Sequence, residues 1–572
     1  MRLRLPVVGV LAATAIVLAL TACPGRAADR PTADASLRPE SSFGGYLAAL
    51  HAQQIHDYRN AAAFIELALV ADSDDDNLVR RAFVLRISEG RVDQAAPLAR
   101  KIASRDGTGG LAGLVLVEQA LKAGDYGRAA TEAAALPQQG AQRYAVPLLL
   151  AWVDAGRGDA KKALRDLDMM GDTHGLGPLK ILHEALIADF VGDAVAAADY
   201  KKLLEAETPP TTRIAELVGN FYERRHERAA ARAVYRSVEP VDDSDVSVAG
   251  LERLTRNVVP KPLIASAADG AAEALFDLAS LLDQSETLDA ALIYVRLALD
   301  LRPRFPLAML LAGEIRALQD QPEDALALYR RIDPASPYAW TARMRVALTL
   351  DSLARTDEAI KLLETLATEQ PKRAAPLVEL GDVLRSHSRF ADAVGAYNRA
   401  LARNANPTAD DWRIYYSRGV SYERTGQWPR AQADLERALQ LRPEQPLVLN
   451  YLGYTWIDKG ERLSEAVKMI ERAVALRPND GYIVDSLGWA YFRLGEFKRA
   501  TETLERATEL VPEDPTINDH LGDAYWRSGR RLEARYQWQR ALQFKPEADE
   551  AKTIQAKLEH GLGSAPAKMG GG

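Results

Sequence analysis

The chain has 572 residues, 47% hydrophobic, 7% aromatic and 26% charged, with a net charge of −7. That balance suits a soluble, helix-rich protein and excludes a sequence-independent electrostatic grip on nucleic acid. The single cysteine, Cys23, excludes an intrachain disulfide and a zinc site built of several thiolates.

Residues 1–22 open with Arg2 and Arg4, run through an apolar stretch at 5–20 and end in small residues. A charged start, a short apolar core and a small-residue exit describe a secretory signal peptide rather than a membrane span. Leu20-Thr21-Ala22-Cys23 resembles the lipobox of bacterial lipoproteins. The resemblance implies cleavage before Cys23 and acylation of that cysteine, and several acyl chains together anchor a protein stably. It also implies a place in the bacterial cell envelope, lipid-anchored and facing the periplasm. The outer membrane is favoured over the inner one, because Pro24 rather than an aspartate follows the cysteine. The alternative is ordinary secretion, with cleavage after Ala27 for example. Residues 23–42 are rich in Pro, Ala and charge without periodicity, and read as a disordered tether.

From residue 43 onward a period of 34 organises the chain. An alanine returns at Ala61, Ala95, Ala129, Ala163, Ala197 and Ala231, then at Ala291, Ala325, Ala359, Ala393, Ala431, Ala466, Ala500 and Ala534. Gly90, Gly124, Gly158, Gly192, Gly426, Gly495 and Gly529 each stand five residues before their alanine. The best-kept copy is 481–512. There Val484, Leu487, Gly488 and Tyr491 make one apolar face of a 3.6-residue period. Small Gly488, Ala500 and Ala507 let two helices approach closely, Gly495 suits a left-handed cap, and Pro512 ends the second helix.

This pattern resembles the tetratricopeptide repeat (TPR). The resemblance implies an all-α fold, a TPR solenoid of helical hairpins in a right-handed superhelix. Fourteen repeats fall into two arrays, six degenerate ones in 43–240 and eight well-formed ones in 272–546. Between them, 241–271 reads as an irregular linker or hinge, or equally as a packed joint. Its Asp269-Gly270 pair is expected to turn the chain, and one helix is expected at 249–256. A capping helix is expected at 547–562, with the stripe Ala551, Ile554 and Leu558, and a flexible tail at 563–572.

Catalytic patterns fail on inspection. His183-Glu184 begins an HExxH motif, but Ile187 stands where the second histidine is needed. Asp72, Asp74 and Asp76 imitate a calcium loop, but Asn77 replaces its glycine and Phe83 its closing glutamate. The acidic stretch reads instead as a turn capping the helix near Leu78. No GxSxG, P-loop or GxGxxG after a strand occurs. The chain is read as a non-enzyme without cofactor or metal.

A stack of hairpins lines a concave groove with its first helices, the usual ligand surface of a solenoid. In 481–512 a second stripe lies beside the apolar one: Tyr482, Asp485, Trp489, Phe492 and Arg493. Equivalent positions hold Tyr416 in one neighbour, Asn450 and Tyr454 in the next, and Asp523, Trp526 and Arg527 in the last repeat. Aromatic and arginine side chains dominate interface hot spots, and Asn450 suits the backbone of an extended peptide. The same rings would equally serve to pack adjacent repeats. Within the resembled family, a lysine and asparagine clamp grips acidic chaperone tails; here Asp, Tyr and Trp hold most matching positions, which does not support that ligand. Among bacterial lipoproteins with this repeat, the resemblance implies a scaffold or adaptor that binds proteins of an envelope assembly, secretion or cell-wall machine. The alternative is an accessory factor for polysaccharide synthesis or export, with Tyr454, Tyr482, Trp489 and Trp526 as ring platforms. The membrane would be met through the N-terminal lipid alone.

Overall fold

The computed structural model describes residues 42–563, except 107–109, 138, 141, 172–175, 239–244, 283–286 and 405. Cys23, the signal segment, the tether up to residue 41 and the tail from 564 lie outside the described residues.

Among the described residues every regular element is a helix. The first hairpins are α1 (Ser42–Gln54) with α2 (Tyr58–Ala71), α3 (Asp76–Glu89) with α4 (Val92–Asp106), and α5 (Gly110–Lys122) with α6 (Tyr126–Ala134). They continue as α7 (Gln142–Gly156) with α8 (Ala160–Asp168), α9 (Gly177–Val191) with α10 (Ala196–Ala206), and α11 (Thr212–Arg224) with α12 (Arg228–Ser237). A lone helix, α13 (Val246–Arg256), follows. Next come α14 (Ala267–Leu281) with α15 (Leu288–Leu301), α16 (Pro306–Leu318) with α17 (Pro322–Arg330), and α18 (Ala339–Ser352) with α19 (Thr356–Glu369). Then α20 (Ala375–Ser386) pairs with α21 (Phe390–Arg403), α22 (Trp412–Arg424) with α23 (Trp428–Leu441), and α24 (Pro446–Lys459) with α25 (Leu463–Leu476). The series ends with α26 (Gly481–Arg493) and α27 (Phe497–Leu510), α28 (Pro515–Arg527) and α29 (Arg531–Gln543), and the closing helix α30 (Ala548–His560).

The hairpins repeat because two local demands repeat. The marker alanines are fully buried in every repeat but the fifth, where Ala196 takes the place of half-buried Ala197. The residue five before the marker is left-handed at all seven glycines, and also at His56, His226, Asp320, Ala354 and Ser388. Reversing the chain in that few residues requires a positive φ, whatever residue stands there. A side chain at Gly488 would bring its Cβ to 2.5 Å from Leu504, so the close approach expected from sequence is present.

A third repeating device joins one repeat to the next. Six residues after the marker, Lys101 bonds Asp74 at 2.7 Å, Arg399 bonds Glu364 at 2.7 Å and Arg472 bonds Glu444 at 2.7 Å. At the same position Arg331 reaches the Pro303 carbonyl at 3.5 Å, and Arg506 the Pro478 carbonyl. Each cation ties its repeat to the preceding one, through a carboxylate at the first three and through a backbone carbonyl at the last two.

The helices form two units, residues 1–362 and 363–572, with the division inside α19. The division does not fall in 241–271. Its described residues, 245–271, pack within the first unit: α13 lies on α11 and α12, and Tyr235 fits against Gly219 and Gly250. Asn220 Nδ2 donates to the Lys261 carbonyl at 2.9 Å. Asp269-Gly270, expected as a turn, is instead the first turn of α14. Ser266 Oγ accepts from the Asp269 N–H at 3.0 Å, while Asp269 accepts from the Ala265 N–H at 3.1 Å, a reciprocal cap that starts the helix. Gly270 has no side chain because Trp152 fills that space, 2.2 Å from where a Cβ would be.

The first unit is not a simple stack. Hairpin α14–α15 also packs on the first helices of earlier repeats: α14 on α7 and α9, α15 on α3 and α5. The seam is polar. Buried Arg213 bonds Glu273 at 2.5 and 2.7 Å, and Tyr58 donates to Asp289 at 2.6 Å. His183 accepts from Trp152 Nε1 at 3.1 Å and turns Nε2 to Asp277 at 3.1 Å, so it serves the seam and not a metal.

Glu118 lies in this seam, buried beside Asp300. Burial and the Asp300 carboxylate push its carboxyl up to about 9, whereas an unfolded glutamate ionises near ~4.3. Between those values the folded chain keeps a proton that the unfolded chain has released. Stability therefore falls as pH rises through that window, by about 1.4 kcal/mol per unit. Glu118→Gln removes the titration while keeping a donor. It should stabilise the first unit by at least about 1 kcal/mol at pH 8 and change little near pH 4.5. Urea titrations at the two pH values check this; equal shifts at both would contradict it.

Candidate binding groove

The residues singled out in sequence lie on four first helices of the second unit. Tyr416 is on α22, Asn450 and Tyr454 on α24, Tyr482 to Arg493 on α26, and Asp523, Trp526 and Arg527 on α28. Local sequence starts these helices at the right residue. Pro446 and Pro515 open α24 and α28, and Asp480 and Asp514 accept from the Ile483 and Ile517 N–H groups at 3.3 and 2.9 Å. Tyr416 and Asn450 each stand three residues before a helix-contact glycine, Gly419 and Gly453, so they occupy equivalent positions.

The stripe divides into side chains that are taken and side chains that are not. Trp489 is stacked on Phe492 at 4.8 Å and on His520 at 4.0 Å, and Phe492 is itself buried. Buried Asp485 holds His520 Nδ1 at 3.0 Å. Burial opposes charge on His520, but Asp485, with Asp519 and Asp523 beyond it, outweighs burial and raises its pKa. Asp523 accepts from Trp538 Nε1 at 2.9 Å and from Lys557 at 2.9 Å. Trp526 lies against Trp538 at 5.4 Å and beneath Gly561, where a Cβ would approach to 2.0 Å. Arg493 bonds Asp458 at 3.0 Å, and Arg527 is half-buried at the end of α28.

The closing helix supplies much of this cover. Ile554 is fully buried and Lys557 also reaches Asp519 at 2.7 Å, so α30 does cap the last repeat. Sequence reading missed His520, Trp538 and Lys557. His520 stands 35 residues after Asp485, so aligning successive repeats would have brought the pair together.

Four polar side chains remain. Tyr416, Asn450, Tyr454 and Tyr482 are partly exposed, and their side chains make no hydrogen bond among the described residues, although the Tyr416 ring lies against Trp412 at 6.0 Å and Tyr451 at 5.9 Å. The Asn450 Oδ1 is shut away from solvent as well. Other tyrosines of the same helices behave differently: Tyr451, Tyr491 and Tyr525 donate to Glu423, Glu471 and Glu505 at 3.1, 2.8 and 2.8 Å. Burial, then Asp485 and Asp458, push the Tyr454 phenol up to about 12, so it stays a neutral donor. The row offers neutral donors, acceptors and ring faces. Among the described residues no group of three or more His, Cys, Asp or Glu could hold a metal ion. No described helix is long and apolar enough to cross a membrane.

Models of the TPR family match these helices. One, described as a TPR repeat, covers residues 488–529; another, a tetratricopeptide repeat, covers 344–410, 378–429 and 416–481. Over those residues the chain carries tetratricopeptide repeats. Over 158 residues it is 28% identical to a TPR repeat-containing protein of Pseudomonas aeruginosa, covering 27% of this chain and 26% of that one. Over 96 residues it is 30% identical to the Hsp70-Hsp90 organizing protein of Triticum aestivum, covering 16% of each. The chain thus spans under a third of the length of either curated relative. Among solved structures, the Cut9-Hcn1 hetero-tetramer of the APC/C is 15% identical with a TM-score of 0.39, over 92% of this chain and 98% of that one. YrrB, a TPR protein with an unusual peptide-binding site, is 22% identical with a TM-score of 0.27, over 34% and 97%.

Proposed function

We propose that the TPR array of the second unit is a scaffold that holds an extended protein segment along Tyr416, Asn450, Tyr454 and Tyr482. The observation that carries this is the Asn450 Oδ1, buried without a hydrogen-bond partner on the stripe of first helices that also holds the three tyrosines. A buried polar atom left unbonded costs about 1–3 kcal/mol, which a ligand's N–H would return. An extended backbone offers both N–H and C=O at each residue, and an asparagine amide answers both. The rings add stiff apolar area beside it. The row carries no charge, so it suits backbone and apolar side chains rather than an acidic tail.

In the same reading the scaffold is lipid-anchored at Cys23 and faces the periplasm, at the outer membrane in preference to the inner. There it serves as an adaptor for an envelope assembly, secretion or cell-wall machine. The lipobox-like Leu20-Thr21-Ala22-Cys23 and the absence of any second cysteine support the anchor. The polysaccharide reading is weakened by the large rings: Trp489 has a ring on each side, and Trp526 lies between Trp538 and Gly561.

Crosslinked pull-down from membranes tests the groove. Asn450→Ala with Tyr454→Phe should weaken capture of the partner at least about 10-fold, equivalent to about 1.4 kcal/mol, with helical content unchanged. Partners captured equally by the variant and the native chain would overturn the assignment.

A further inference from the structure

The first hairpin is apolar on its outside. Six residues after its marker alanine stands Leu67, in the register that holds Lys101, Arg331, Arg399, Arg472 and Arg506 in some later repeats and Ala135, Met169 and Leu297 in others. Thirteen large apolar side chains are exposed among the described residues, and five of them, Phe43, Leu47, Ile55, Leu67 and Val70, belong to α1, α2 and their turn. Phe43 and Leu47 are one helical turn apart on α1, as are Leu67 and Val70 on α2. Phe43 is 68% exposed and Val70 85%. This concentration is unlike the scattered single apolar residues of an ordinary surface.

The charges of the hairpin are few and engaged. Asp57 accepts from the Asn60 N–H, Arg59 pairs with Asp324, and Glu66 pairs with Arg86 and Arg91. One arginine against two acids makes no basic cluster, so an anionic surface is not what this edge fits. The chain's own preceding residues do not suit it either: 24–41 contain one large aliphatic side chain, Leu37. What does suit it is set by distance. α1 begins 19 residues after Cys23, and 19 residues reach at most about 65 Å.

We propose that Phe43, Leu47, Leu67 and Val70 rest in the surface of the membrane that holds the acylated Cys23, with neutral, zwitterionic phospholipid as their partner. The inference rests on the lipid-anchor reading. Its physical content is a second contact: acyl chains hold the chain end, and the first hairpin then lies on the headgroup boundary as an interfacial helix pair does.

The test uses the full lipidated chain in phosphatidylcholine vesicles. Once Cys23 is acylated, Val70→Cys provides the one free thiol for an environment-sensitive dye; Val259→Cys, exposed elsewhere in the first unit, is the control. The dye at 70 should shift to the blue and be quenched by spin-labelled lipid at least fivefold more than the dye at 259. Adding Phe43→Gln and Leu47→Gln should abolish that difference. Equal quenching at both sites, in protein that sediments with vesicles and carries fatty acid, overturns the proposal. A dye at 70 shielded in proportion to protein concentration but untouched by lipid quenchers marks a second copy as the occupant, and overturns it too. Failure of the anchor reads separately, as no fatty acid on Cys23 and no sedimentation. The Cys23→Ser, Val70→Cys chain added to the same vesicles then decides: quenching at 70 supports the lipid contact, and none refutes it.

Discussion

Replacing Glu273 by alanine is expected to destabilise the first unit by about 3–5 kcal/mol, the cost of leaving a buried charge without its partner. Glu273 is fully buried on α14, and Arg213 of α11 grips both its oxygens at 2.5 and 2.7 Å. Arg213 also bonds Glu216 at 2.6 Å, and Tyr338 donates to Glu216 at 2.7 Å, so the loss would spread through a connected set. Burial alone would raise the Glu273 pKa; the Arg213 guanidinium more than reverses this and holds it below the usual glutamate range. For a carboxylate so lowered, the stability is present above the unfolded value near ~4.3 and is lost as pH falls through the folded one. The alanine penalty should accordingly be full at pH 7 and shrink in acid. Urea unfolding followed by amide exchange in α11 and α14, the two helices that the pair joins, reads it. A loss under about 1 kcal/mol would mean that α14 is not held as described.

Trp538→Ala should cost the second unit a similar amount, about 3–5 kcal/mol, for a different reason. The indole is fully buried, and its ring fills the space that Gly522 leaves, 2.5 Å from where a Cβ would sit. Truncation opens a cavity between α28 and α29 and removes the 2.9 Å bond to Asp523, which keeps Lys557. Trp538→Phe retains much of the volume and loses the bond, so it should cost about 1–2 kcal/mol. Amide exchange in α28 to α30 separates the two; equal protection in both variants would show that packing there is not decisive.

How much of this was legible beforehand follows from what repeats. The hairpins could be read because thirteen of them bury the same small alanine and twelve turn at the same left-handed residue, and both demands act within 34 residues. The fifth repeat escaped by one position, Ala196 for Ala197, since a spacing rule cannot see which of two alanines meets the facing helix. Helical periodicity alone places Tyr416, Asn450, Tyr454 and Tyr482 along one stripe of their first helices. Periodicity could not show that Trp489, Phe492 and Asp485 on the same face are taken, because His520 arrives from the next repeat. Nor could it show the partners of Asp523 and Trp526, because Lys557 and Gly561 arrive from the end of the chain. Least legible was the seam of the first unit. Glu273, Asp277 and Asp289 look like solvated helix charges until their partners, 60 to 231 residues away, are known.

That seam has a consequence for how the protein is made. Side-chain bonds described in the second unit join residues no more than 38 apart, so its hairpins can settle one after another as they are synthesised. The first unit has no such order. Tyr58 waits for Asp289, 231 residues later, and Lys122 waits for Asp300, 178 residues later. At about 5–20 residues per second the interval is roughly 10–50 s. Throughout it, the sides of α3, α5, α7 and α9 that receive α14 and α15 have no cover, so in a growing chain the N-terminal half reaches its full packing only when the fifteenth helix emerges.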